Sequence, residues 1–121
     1  MKTSTLFRGA VAALTFVVVQ AAHAHAFPKT QQPAAGETLT AAPQAVTIVF
    51  DEALEPAFSS IAVTDSHGQS VATGKAVVDD GNRKRMRVAL TSLAAGTYTV
   101  AWVAVASDGH RTHGHYAFTL K

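Results

Sequence analysis

Between Gly96 and Leu120 the chain reads GTYTVAWVAVASDGHRTHGHYAFTL, two apolar runs around the polar segment Ser107, Asp108, Gly109, His110 and Arg111. Short runs rich in Val, Tyr, Trp, Phe and Thr on either side of such a segment read as paired strands joined by a loop. The run from Tyr98 to Val105 is apolar on both parities, which predicts a central strand covered on both faces. Its partner, His115 to Lys121, alternates and turns Tyr116, Phe118 and Leu120 inward.

The preceding residues carry the same period of two. Ala45 to Phe50 sets Val46, Ile48 and Phe50 on one face, Ser60 to Thr64 forms another strand, and Arg85 to Leu90 turns Met86, Val88 and Leu90 in with Arg85 and Arg87 out. Asp79, Asp80, Gly81 and Asn82 supply a hairpin turn. The stretch from Val71 to Val78, broken by Gly74, reads as two short strands or one bulged strand. Asp51 to Ser59 is a loop or a helical turn. Pro28 and Pro33 exclude a helix from His25 to Gly36 and confine any strand there to a sheet edge, while Gly36 and Pro43 bracket a connection. Leu93 to Tyr98 has the pattern of a tyrosine corner, in which a hydroxyl returns to nearby backbone. Short strands about ten residues apart with no amphipathic helix predict an all-β fold, a small antiparallel Greek-key β-sandwich of immunoglobulin-like or cupredoxin-like form.

Residues 1–24 read as a secretory leader: Lys2 and Arg8, an apolar run from Ala10 to Val19, and the A-x-A cleavage site Ala22, His23, Ala24. The expected mature domain is 25–121, exported and without a spanning helix, since no segment approaches the roughly 20 apolar residues needed. Loss of Lys2 and Arg8 leaves eight basic against eight acidic side chains, so the net charge of +2 belongs to the leader and gives no reason to expect nucleic acid. The cluster Arg83, Lys84, Arg85 and Arg87 reads as a solvated strand face. With no cysteine, the domain has neither disulfides nor the thiolate ligands of zinc fingers and blue-copper sites.

The residues with most chemistry are Asp108 and His110 in the loop and His25, which cleavage after Ala24 would make the first residue. An N-terminal His can close a chelate through its α-amine and ring nitrogen, and Asp108 and His110 can complete an N3O set suited to tetragonal Cu(II). Metal binding needs the imidazoles and amine neutral, so affinity is expected to fall below about pH 7. The plainer reading is also open: D-x-H in a loop is commonly a turn with a solvated His, and Ala24, His25, Ala26 is a second cleavage pattern.

Four segments, HAFPKTQQPAAG, IVFDEALEPAFSSIAV, LAAGTYTVAWVAVASDGH and GHYAFTLK, resemble the CopC family of periplasmic copper-binding proteins over nearly the whole mature length. The resemblance implies a Greek-key sandwich that binds one Cu(II) per chain through His25, Asp108 and His110. It also implies a part in copper resistance or homeostasis in the periplasm and an inner-membrane acceptor of the CopD type. Family members that also bind Cu(I) use a Met-rich segment, whereas the mature chain has Met86 alone, on an inward position, so a Cu(II)-only protein is expected. His113 and His115 depart from the family pattern and project outward, as solvated residues or with His113 tuning the site. His67 is expected at the surface; Phe27 and Trp102 are expected in the core or shielding the site. Two other readings compete: a histidine-brace copper oxygenase, disfavoured because Asp108 would fill a position an oxidase keeps open, and a metal-free immunoglobulin-like interaction module.

Overall fold

The computed structural model describes residues 25–121, so the leader and its cleavage site lie outside the described residues. The strands are β1 (Pro28–Gln32), β2 (Thr38–Leu39), β3 (Ala45–Phe50), β4 (Ser60–Thr64), β5 (Val77–Asp79), β6 (Asn82–Ala89), β7 (Gly96–Val105) and β8 (Arg111–Leu120), with no helix among the described residues. They form two four-stranded sheets, β1-β3-β6-β5 and β2-β8-β7-β4. The chain crosses between the sheets after β1, β2, β3, β4 and β6, the Greek-key connection expected of short alternating strands.

Alternation builds the core. The first sheet turns Val46, Ile48, Phe50, Met86 and Val88 inward, and the second turns in Ile61, Val63, Tyr98, Val100, Trp102, Ala104, Tyr116, Phe118 and Leu120. Met86 is fully buried, as its parity predicted. Phe50 meets Trp102 edge-on at 5.4 Å between the layers, and Tyr98 stacks on Phe118 at 5.4 Å. The Tyr98 hydroxyl donates to the carbonyl of Ala94 at 2.5 Å, which is the tyrosine corner read from the sequence.

Several expectations need correction. The sheets are not wholly antiparallel, because β2 pairs parallel with the end of β8, Thr38 with Thr119 and Leu39 with Leu120. β7 is central, between β8 and β4, but its second apolar parity is not covered: Ala101 is exposed and Val103 and Val105 are half-buried. Among the described residues no layer packs on that side, and small or β-branched residues there serve the pleat rather than a core. The stretch from Val71 to Val78 has one isolated bridge, Ala72 with Leu90, following that of Ser70 with Thr64, before β5 begins at Val77. β8 starts at Arg111 rather than His115, since pairing with β7 continues to Val105 opposite Arg111. Phe27 is not in the core; it is 53% exposed.

The basic residues Arg83, Lys84, Arg85 and Arg87 stand exposed on β6, with Arg85 facing Asp79 at 4.0 Å.

Candidate metal centre

Asp108 and His110 sit in the turn between β7 and β8. The turn closes because Ala106 donates its N–H to the His110 carbonyl at 2.9 Å and Gly109 donates to the Ala106 carbonyl at 2.8 Å. Gly109 has a φ of +88°, a left-handed conformation that a β-carbon would oppose. The turn is tied to the segment after β3: Ser107 N–H donates to the Ala53 carbonyl at 3.2 Å and Glu55 N–H to the Val105 carbonyl at 2.8 Å.

Within the turn, Asp108 grips His110 twice. Its Oδ1 accepts the His110 backbone N–H at 3.0 Å, and its Oδ2 lies 2.8 Å from His110 Nδ1. The hydrogen bond from the His110 ring is the main reason the Asp108 carboxyl is held below its ordinary value, with the backbone N–H of His110 adding to it. A carboxylate that accepts from Nδ1–H leaves the Nε2 lone pair available, the arrangement by which outer carboxylates orient metal-binding imidazoles.

His25 comes to this turn from the other end of the chain. Its ring centroid is 5.3 Å from that of His110 and 5.9 Å from that of Phe27. The arm that carries it is anchored at the next two residues. Ala26 is fully buried, and its carbonyl accepts the Thr112 hydroxyl at 2.5 Å. Phe27 N–H donates to Asp51 Oδ1 at 2.8 Å, and Asp51 N–H donates to the Phe27 carbonyl at 3.0 Å. β1 then continues as an edge strand on β3, with Pro28 opposite Phe50.

The structure therefore brings His25 and His110 together and sets Asp108 against His110. Among the described residues, no three His, Asp or Glu side chains are arranged about a common point for a metal ion. For all three to ligate one ion, the Asp108 carboxylate has to turn away from the His110 ring. The donor set itself, imidazole nitrogens and one carboxylate without thiolate, fits a borderline divalent metal such as Cu(II).

Thr112 and Asp51 were not legible as parts of this centre. Thr112 lies two residues from His110 on an inward parity that reads as core, and Asp51 reads as one of the acidic residues of a loop. Phe27, expected as core or shield, packs on the His25 ring while remaining exposed. His67 lies exposed in its turn, and His113 and His115 point outward from β8.

The fold and site together define a small two-layer β-sandwich that clamps the segment from His25 to Phe27 beside a His-bearing turn. The CopC domain profile matches residues 28–121, and the chain belongs to that family. It is 41% identical over 121 residues, covering 98% of both chains, to Protein YobA of Escherichia coli K12. Among solved structures it is similar to CopC from Methylosinus trichosporium OB3b, with a TM-score of 0.75, 33% identity and coverage of 80% of this chain and 94% of that one. It is also similar to PcoC, a methionine-rich copper resistance protein from Escherichia coli, with a TM-score of 0.70, 33% identity and coverage of 81% and 100%.

Proposed function

We propose that the mature chain is a periplasmic Cu(II)-binding protein of copper resistance or homeostasis, holding one copper through His25, Asp108 and His110. The observation that carries this is the 5.3 Å approach of the His25 and His110 rings from opposite ends of the chain. Three hydrogen bonds to Ala26 and Phe27 hold that approach in place. Cleavage after Ala24 adds the His25 α-amine to the donors, and the ring and amine of one residue then chelate. His110 offers an imidazole already oriented by Asp108, whose carboxylate supplies the oxygen on turning outward.

Binding copper requires no bond to be made or broken in an organic substrate, so the reading is that of a carrier or buffer and not of an enzyme. The contrast with a methionine-rich copper resistance protein supports reading the metal as Cu(II). This chain has no counterpart to a Met-rich segment, because Met86 is sealed in the core. Hard and borderline donors without thioether favour Cu(II) over Cu(I). Delivery to a CopD-type inner-membrane protein is the acceptor this reading implies.

Intact mass of the protein purified from the periplasm, with and without one equivalent of Cu(II), tests the reading. The expected species begins at His25 and retains one copper. A chain that begins at Phe27 lacks the first ligand and overturns the assignment. A start at His23 would place His25 third and make an amino-terminal chelate independent of the turn, which copper affinity unchanged by His110→Ala would establish.

A further inference from the structure

We propose a second, weaker Cu(II) site on the outer face of β8, formed by His113 and His115. Thr112, Tyr116, Phe118 and Leu120 on β8 are buried, which forces the opposite parity outward, and both histidines are exposed. Slipping the register by one residue would bury both imidazoles and expose Tyr116 and Phe118, so their direction is fixed by the core. Residues two apart on a strand are separated by about 6.4–6.8 Å along it and share a face. Two imidazoles there can converge on one ion at metal–nitrogen distances of about 2.0–2.1 Å.

The surroundings leave the pair free to do so. Across the ladder His113 faces Val103 and His115 faces Ala101, and one strand further lie Ser60 and Ala62. These short side chains share the face of the pair by register and supply no carboxylate or cation to engage the rings. Neither imidazole has a hydrogen bond or ion pair among the described residues. Their backbone is rigid, because β7 and β8 pair without interruption from Gly96 opposite Leu120 to Val105 opposite Arg111. Gly114, between the two, is pressed against the Trp102 ring on the inner side. A preformed pair loses little conformational freedom on closing around an ion.

Imidazole suits Cu, Ni and Zn, and Cu(II) heads the divalent series. Two imidazoles with water in the remaining positions bind less tightly than a set that includes a chelating N-terminus. Arg111, exposed on the same face at the turn end, weakens the site further by its charge. The pair does not depend on His25 or on where the leader is cut, so it stands or falls separately from the proposed N-terminal site.

Calorimetric titration of the mature protein with Cu(II), joined to sedimentation and amide NMR, tests it. Two binding events are expected, the second broadening the Ala101 and Val103 amides. The double substitution His113→Ala, His115→Ala removes the second event and leaves the first within about twofold, as for independent sites. Each single substitution weakens the second event by about tenfold or more, at least what loss of an outer-shell partner costs. His110→Ala leaves the second event in place. No second event in the wild type, a second event unchanged in the double variant, or one ion per two chains with dimer formation would overturn a site within one chain.

Discussion

Replacing Thr112 with Val tests whether the anchored arm organises the proposed copper centre. Valine keeps the branched shape and strand preference of threonine but removes the hydroxyl that donates to the Ala26 carbonyl at 2.5 Å. Ala26 is fully buried, so its carbonyl is left facing a methyl group where water does not reach. An unsatisfied buried acceptor costs about 1–3 kcal/mol. The chain can respond in two ways. If the arm stays docked, global stability falls by that amount, which for a domain of this size lowers Tm by about 4–8 °C per kcal/mol. If the arm lifts, the carbonyl regains water, His25 leaves His110, and apparent copper affinity falls with the docked fraction. A bias of 1–3 kcal/mol corresponds to about 5- to 150-fold. Thermal melts of the metal-free protein and Cu(II) competition against a chromophoric chelator measure the two responses, and Thr112→Ser, which keeps the hydroxyl, should restore both. Wild-type Tm together with wild-type affinity in Thr112→Val would refute the reasoning.

Gly114→Ala places a β-carbon 2.6 Å from Trp102 Cζ2, well inside carbon–carbon contact, and Phe50 blocks the ring from sliding away. Urea unfolding should show a loss of about 1–3 kcal/mol. The Tyr116 hydroxyl is buried without a hydrogen-bond partner among the described residues, so Tyr116→Phe should raise stability by about 1 kcal/mol in the same assay. Burial, with a smaller contribution from the Glu37 charge, pushes the Tyr116 pKa up to about 12, so the folded state holds this proton more tightly than the unfolded chain. The associated stability is complete below about pH 10 and is lost as pH rises towards 12; alkaline titration of Tyr116→Phe should lack that component. Asp108→Ala frees the His110 ring and removes the oxygen donor. It should weaken Cu(II) binding by about 10- to 100-fold while changing stability by no more than about 0.5 kcal/mol, because both groups lie at the surface.

Local pattern was enough to read most strands. Ala45–Phe50 and Ser60–Thr64 fall where alternation puts them, because one face of each is packed and the other wet. Alternation failed where a strand is set by its neighbour rather than by its own residues. β2 has only two residues and is a strand by virtue of pairing with β8. The start of β8 at Arg111 follows from its ladder with β7 and carries no apolar signal. The outer parity of β7, Ala101, Val103 and Val105, looks like a covered face but lies partly open, since hydrophobicity records what a residue tolerates and not whether a layer exists to cover it.

Sequence alone determined the all-β class, the inward residues of the core and the Asp108–His110 turn, all properties of composition, period or short spacing, and it singled out His25, Asp108 and His110 as candidate donors. Tertiary structure decided where those candidate residues stand relative to one another. The approach of His25 to His110 joins residues at opposite ends of the folded domain, and it depends on Thr112 and Asp51, whose hydrogen bonds to the arm no local pattern encodes. Likewise, Ala101 and Val103 stand opposite His115 and His113 only through the register of β7 on β8. Contacts of this kind span long stretches of chain and are selected by the packing of the whole sandwich, which is why they become visible only once the two sheets are closed.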